Sequence, residues 1–504
     1  MSDAQPYDLL IIGGGINGVG TARDAAGRGL KVLLAEKDDL GEGTSSRSGK
    51  YIHGGLRYLE HYEFRLVREA LIEREVVLEA APHLTWPLRL VLIHSPAQRP
   101  RWLIRLGLFL YDNLGGRKRI PGTRRLRLDR DPEGASVRRG FRHAFAYYDV
   151  WVDDARLVVL NAVDAAARGA HVLTRTEVIS ARREKGLWQV TLRDAQGQKQ
   201  VQTRAIFNAA GPWVEQVIGQ VAGVNASKRI RLVKGSHIIL PRWWQGDHGY
   251  VLQAPDKRIL FVNPYLDGLA LVGTTDIPFH GRPEDVSIDA DETAYLIDSL
   301  NRYFDLSLTT SDVTASYSGV RPLFDDDKAK GASAVTRDYT FELDSGPGRA
   351  PMLSAFGGKL TTYRKLAEAA LERLRPSLPG MGPAWTDAAP LPGGDMKGAD
   401  FEDWFKGFHA RHAWLPEALA RHYGHAYGTL ADALLGDALD MRDLGRHFGG
   451  LFFAREASWL MTREWARSVE DMVHRRTKHH LSMSLAEQAA VDAWLAARPA
   501  AQAE

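Results

Sequence analysis

Apolar residues run without interruption from Leu9 to Ile12, stop at Gly13-Gly14-Gly15, and resume from Val32 to Ala35, ending at Glu36. Small and apolar residues between the two runs recur at helical spacing. Short continuous apolar runs bounded by glycine predict strands covered on both faces, here in a strand–helix–strand unit with a parallel sheet. The same run recurs at Ala205 to Asn208, before Ala209-Ala210-Gly211. It recurs again in "MLSAF", before Gly357-Gly358 and the helically spaced "TYRKLAEAALERL". Between these pieces, "GSHIILP", "RILFVNPY" and "LALVGTTDI" are alternating or β-branched runs at short spacing, which predicts an antiparallel sheet over about 235–345. After the Pro/Gly-rich "PLPGGDMKGAD", helical spacing dominates to the end, as in "SLAEQAAVDAWLAARPA".

Separated pieces of one parallel sheet imply an α/β unit that is discontinuous in sequence and wrapped around an insert. Length agrees, because 504 residues exceed what one core accommodates. Composition is that of a soluble globular chain, with a net charge of +3. The absence of cysteine changes the picture more: it excludes disulfides, thiolate metal sites, iron–sulfur clusters and a cysteinyl-linked cofactor.

The first unit carries the clearest chemistry. Gly13, Gly15 and Gly18 stand at G-x-G-x-x-G spacing between strand and helix, and Glu36 follows 18 residues after Gly18. This spacing serves a tight turn, close approach of a pyrophosphate to the backbone, and helix–strand packing; the helix N-terminus faces the phosphates and the acid accepts from a ribose hydroxyl. Ile16 and Asn17 begin that helix. Ala210-Gly211 and Gly357-Gly358, with Lys359 and Leu360, are the turns where later strands of the sheet pass the same dinucleotide. The stretch from Gly43 to Tyr58, "GTSSRSGKYIHGGLRY", holds hydroxyls, cations and glycines but no carboxylate, which suits an anion. Thr44, Ser45 and Ser46 are donors for a pyrophosphate or ribityl chain.

Two segments, "IGGGINGVGTARDAAGRG" and "GGKLTTYRKLA", resemble the signatures of FAD-dependent glycerol-3-phosphate dehydrogenase. "IHGGLRYLEHYEFRLV", "WVDDARL", "KGSHI", "GTTD", "YSGVRPL" and "TRDY" resemble that family in order and spacing, from about residue 7 to 395, and "LARHYG" and "RRTK" extend the likeness into the tail. The bacterial aerobic respiratory branch is the most similar. The resemblance implies a glutathione-reductase-like FAD domain (about 1–95, 150–234 and 346–395), an antiparallel-sheet substrate domain (about 96–149 and 235–345) and a C-terminal all-helical domain (396–504). It implies non-covalent FAD, oxidation of sn-glycerol 3-phosphate to dihydroxyacetone phosphate, and electrons passed to a membrane quinone. Substrate-facing residues follow by position: Arg57, Tyr58, Arg321, Arg337 and Lys359. Arginine suits the phosphate because its planar fork binds two oxygens. His53 is the first candidate for the base that takes the C2 hydroxyl proton, with Arg321 and Lys359 as catalytic partners.

From Arg99 to Arg142 there are thirteen Lys or Arg residues against four acids, interleaved at the start with "WLIRLGLFLY". That pattern fits either an anionic membrane surface or a core helix followed by a solvated basic loop. No nucleic-acid module accompanies the charge. Neither a secretory signal nor a spanning run is visible, so the expected location is cytoplasmic, peripheral on the inner face of the cell membrane, and a homodimer stays open. Two other readings remain: an amine or amino-acid oxidase on the same fold, and a non-catalytic flavin-binding membrane module.

Overall fold

A computed structural model describes residues 5–95, 98–116, 119–224, 228–324 and 339–498, excluding the side chains of Arg57 and His61. Eight strands form a first sheet whose centre is parallel. Tyr7–Ile12 lies between Val32–Ala35 and Gly197–Asn208; His171–Leu173 extends the sheet on one side and Arg349–Phe356 on the other. The register pairs Ile12 with both Ala35 and Asn208, and Asn208 with Ser354. Four strand ends therefore lie side by side, and the turns after three of them are rich in Gly and Ala. Helices Ile16–Gly27, Asp154–Ala167 and Tyr363–Leu374 cover one face. The antiparallel pair Glu177–Glu184 and Leu187–Asp194, with Val214 and Val217, covers the other. Burial on both faces explains why these strands read as unbroken apolar runs.

The second sheet has ten strands. Ile230–Pro241, Leu269–Gly273, Ile259–Tyr265 and Gly249–Gln253 are its antiparallel centre, with Ala315–Phe324 on the outer side of the first. It also takes Thr85–His94, which the sequence division at about residue 95 left in the first unit. That strand pairs with His143–Val152 over its full length, Thr85 opposite Val152 through His94 opposite His143, and runs parallel to Gly249–Gln253. Such a ladder leaves no backbone group free to join the other sheet. Helix Ala290–Tyr303, started by the reciprocal Asp289–Glu292 capping box, buries Leu296, Ile297 and Leu300 against this sheet.

The tail is predominantly helical. Phe401–Arg411, Glu417–Tyr427, Ala454–Arg463 and Leu485–Ala496 surround a core of Phe405, Phe408, Tyr423, Tyr427 and Leu460, interrupted by the small ribbon His447–Gly449 and Phe452–Phe453. The Pro/Gly-rich connection before it is packed against both sides: Leu391 N–H donates to Ala80 O (2.8 Å), and Thr429 N–H to Gly393 O (3.0 Å).

Candidate active site

The aligned strand ends open into a cavity of about 1220 Å³ that passes from the first sheet to the second. At its first-sheet end lie Gly13, Gly15, Ile16, Asn17, Glu36, Thr44, Ser45, Ala210 and Gly211. Gly13 has a positive φ of 111°, and a Cβ there would sit 2.7 Å from Ala209 O. Gly18 does not line the cavity; a Cβ on it would meet Gly13 O, so it serves the packing of helix on strand. Glu36 accepts from Gly14 N–H (2.5 Å) and Asp38 N–H (2.8 Å). Desolvation outweighs both bonds and lifts its carboxyl to about 7. A half-buried carboxylate at this edge, beside glycine backbone and a helix start, matches the ribose and pyrophosphate of a dinucleotide.

The hydroxylated loop is held from several sides. Ser45 Oγ accepts from Ile16 N–H (3.0 Å), and Thr44 Oγ1 donates to Val320 O (2.6 Å), which ties the loop to a strand of the second sheet. Ser46 does not line the cavity; its carbonyl accepts from Lys50 Nζ (2.7 Å), which also pairs with the buried Asp154. The tail reaches this region too. Arg475 Nε (2.7 Å) and Arg476 Nη2 (2.8 Å) bind Asp39, which is fully buried, and Lys478 Nζ binds Asp153 Oδ2 (2.6 Å). The "RRTK" segment is thus a clamp on the loop after Glu36, a role its local composition does not reveal because the partners are more than 300 residues away.

A second wall comes from the turn before Tyr363–Leu374. Gly357, Gly358, Lys359, Leu360 and Thr361 line the cavity, and Asn17 Nδ2 donates to Gly357 O (3.2 Å), joining the two helix starts that face it. Lys359 Nζ lies 4.1 Å from the centre of the Tyr58 ring. His53 lines the same wall, with its backbone N–H directed to Thr361 Oγ1 (3.2 Å). Behind it, Gly54 N–H donates to Tyr111 Oη (2.8 Å), which donates to Asp149 (2.6 Å), itself paired with Arg74 (2.9 Å). Arg57 falls on the short turn Leu56–His61, but its side chain lies outside the described residues, as does the whole of Arg337.

The second sheet forms the floor. Arg321 lies opposite Val233 in the ladder, lines the cavity and donates to Asp276. Beside it is His237, which the sequence reading quoted within "KGSHI" but did not place at the site. It is buried, stacked on Tyr317 at 4.8 Å, and its Nδ1 lacks a hydrogen-bond partner. Burial first, then the charges of Lys50 and Arg321, lower its pKa to about 3, so the imidazole is neutral. Strand alternation was the available signal: Gly235, His237 and Arg321 all reach the cavity from two adjacent strands.

One stretch of the cavity lining is rich in apolar residues. Helix Arg101–Leu114 buries only Leu108 and Tyr111 and leaves Trp102 (68%) and Phe109 (61%) exposed. Its Leu103, Ile104 and Leu110, with Tyr62 and Phe64 from the neighbouring segment, line the cavity. This departs from a buried core helix. Arg117 and Lys118 lie outside the described residues; Arg119 donates to Ala399 O (2.9 Å). Among the described residues no helix is long and apolar enough to cross a membrane.

Residues 8–364 match the family model "FAD dependent oxidoreductase", and residues 384–497 match "C-terminal domain of alpha-glycerophosphate oxidase". The chain is 56% identical over 496 residues, 98% of both chains, to a D-erythritol 1-phosphate dehydrogenase of Brucella abortus. It is 51% identical over 494 residues, 98% of this chain and 95% of the relative, to a glycerol-3-phosphate dehydrogenase of Pseudomonas aeruginosa. The solved glycerol-3-phosphate dehydrogenase of Bacillus halodurans, complexed with FAD, superposes with a TM-score of 0.76 at 26% identity, covering 98% of this chain and 90% of that one. FAD is therefore the dinucleotide that the first-sheet end of the cavity accepts.

Proposed function

Because this chain belongs to the family of FAD-dependent glycerol-3-phosphate dehydrogenases, we propose that it oxidises sn-glycerol 3-phosphate at C2 to dihydroxyacetone phosphate and delivers two electrons to a membrane quinone. The observation that carries this reading is a single cavity with a dinucleotide cradle at one end and Arg321, Lys359 and two histidines at the other. When bound, FAD supplies the hydride acceptor and the two-electron store.

The protein's share is positioning and proton transfer. Arg321 and Lys359, joined by Arg57 and Arg337 from the resemblance, take the phosphate dianion and set C2 against the cofactor end. Asp276 holds the Arg321 guanidinium in place, so little side-chain freedom is lost on binding. His53 takes the C2 hydroxyl proton, and neutral His237 accepts a hydrogen bond that orients that hydroxyl. His53→Gln removes the acidic limb of the kcat–pH profile while His237→Gln keeps it; the reverse outcome exchanges the two roles. A mono-carboxylate such as an amino acid would leave part of this positive charge uncompensated, which disfavours the oxidase reading.

The apolar stretch of the cavity lining suits a lipid-soluble acceptor. Trp102 and Phe109 enter the interfacial region of the membrane, the basic segment lies against anionic lipid, and quinone reaches the reduced cofactor without leaving the bilayer. A peripheral position on the cytoplasmic face of the membrane is part of this proposal.

The relative from Brucella abortus favours one further reading, a four-carbon polyol 1-phosphate as substrate. Competition settles both. Glycerol 3-phosphate, D-erythritol 1-phosphate, glycerol and erythritol are offered with a quinone analogue, and kcat/KM is compared. Phosphorylated polyols should exceed their parent polyols by at least about 100-fold, the magnitude of a lost buried charge pair. Preference for the erythritol ester would replace glycerol 3-phosphate as the substrate; equal use of glycerol would remove the anion site from the account.

A further inference from the structure

Three side chains of the tail converge on one point away from the cavity. His422 comes from helix Glu417–Tyr427, Glu456 from helix Ala454–Arg463, and His479 from the turn His479–Leu481. His422 Nε2 is 2.7 Å from Glu456 Oε1, and His479 Nε2 is 3.8 Å from Glu456 Oε2. One donor atom from each residue lies within 4.8 Å of the other two. Glu456 is fully buried and His479 is 6% exposed, yet Glu456 Oε2 and His479 Nε2 both lack a hydrogen-bond partner. Tyr427 Oη satisfies Glu456 Oε1 (2.7 Å), so the unmet need is confined to the side facing His479.

A buried carboxylate oxygen and a buried imidazole nitrogen that face each other at 3.8 Å, too far for a hydrogen bond, are poorly satisfied. A cation held between them and His422 satisfies both. Zinc bonds of about 2.0–2.1 Å in a tetrahedron separate neighbouring donors by about 3.3 Å. The 2.7 Å contact runs to Glu456 Oε1 and the 3.8 Å contact to Oε2, and with all three donors within 4.8 Å of one another, side-chain adjustment brings them round one ion. Nitrogen and carboxylate donors suit zinc, and His422 is only partly buried.

We infer that His422, Glu456 and His479 form a zinc site in the C-terminal domain. The ion would tie together two helices and the turn that directly follows Arg475, Arg476 and Lys478, the residues that grip Asp39 and Asp153 beside the cofactor loop. The site is separate from the cavity lining, so the ion would act on how the tail is held and not on the reacting substrate.

The test uses the full-length, FAD-loaded protein, dialysed against a chelator and then titrated with zinc alone. Metal is measured by elemental analysis after gel filtration. One zinc per chain is expected, with a zinc-edge X-ray absorption spectrum showing only nitrogen and oxygen neighbours, including imidazole. His479→Gln and His422→Gln should each weaken zinc binding by about 100-fold or more, since losing even a supporting residue around a metal costs about 10–100-fold. If His479→Gln fails to fold, the more accessible His422→Gln and the spectrum of the unaltered protein carry the test. The stacked pair His474 and His480, with ring centres 3.9 Å apart, is the control. No zinc retained by the native protein, equal retention by His422→Gln, or loss only in His474→Gln would each overturn the site.

Discussion

Glu36 offers a sharp test of the cofactor cradle, because its carboxyl is desolvated without a counter-charge strong enough to keep it ionised. Raising it from 4.5 to about 7 costs the ionised form on the order of 3 kcal/mol. The ligand-free fold therefore holds a proton more tightly than the unfolded chain does. That contribution to its stability is full below 4.5 and lost as pH rises through about 7. FAD reverses the preference, because ribose hydroxyls donate to a carboxylate and favour the ionised form. If binding returns the carboxyl to its ordinary range, the apoprotein must release a proton to bind. With a midpoint of about 7, the ionised fraction is about 0.09 at pH 6 and about 0.91 at pH 8, so FAD affinity should rise about tenfold across that interval. Apoprotein titrated with FAD at pH 6, 7 and 8, followed by flavin fluorescence, reads this directly. Glu36→Gln should lose the slope and bind FAD about 10- to 100-fold more weakly at pH 8, the worth of one charge-assisted hydrogen bond. A flat profile for the native protein, or the same slope in Glu36→Gln, would refute the reasoning.

Other outcomes follow from the same geometry. Arg321→Ala should lower kcat/KM for the phosphorylated substrate by tens- to thousands-fold while FAD content stays unchanged, because the residue lies at the floor of the cavity and not at the cradle. Replacing both Trp102 and Phe109 by Ser should reduce flotation with anionic liposomes in high salt, where charge attraction is screened but insertion of an apolar face is not; unchanged flotation would move the membrane contact elsewhere. Arg476→Met leaves Asp39 fully buried with a weakened set of partners, so denaturant unfolding should show a loss of about 3–5 kcal/mol, reduced or reversed when Asp39 is also changed to a neutral residue.

The parallel core was legible because burial on both faces writes strands as unbroken apolar runs ending in glycine. Gly13, Gly15, Glu36, Ala210 and Gly357 accordingly meet at one cavity. Thr85–His94 was not legible as part of the second sheet, since its ten residues join only through pairing with His143–Val152, about fifty residues on. His237 escaped notice for a similar reason. Its strand reads as ordinary alternation, and only the ladder to Arg321's strand turns one face toward the cavity. Ser46 differs from its neighbours: composition groups it with Thr44 and Ser45, but in the short turn Thr44–Ser46 it is not part of the cavity lining. The Asp39–Arg475–Arg476 and Asp153–Lys478 contacts depend on docking of the tail, which local spacing does not encode.

The central claim is that the phosphate cations and the FAD cradle serve one reaction at C2 of a phosphorylated polyol. Anaerobic stopped-flow mixing of the FAD-loaded protein with glycerol 3-phosphate, unlabelled and deuterated at C2, tests it in one turnover. The account predicts full bleaching of the oxidised flavin band, one dihydroxyacetone phosphate formed per flavin, slower bleaching with the deuterated substrate, and negligible bleaching with glycerol or glycine. Bleaching by glycine or glycerol as fast as by the phosphate esters, or an oxidised flavin that no phosphorylated polyol reduces, would contradict it.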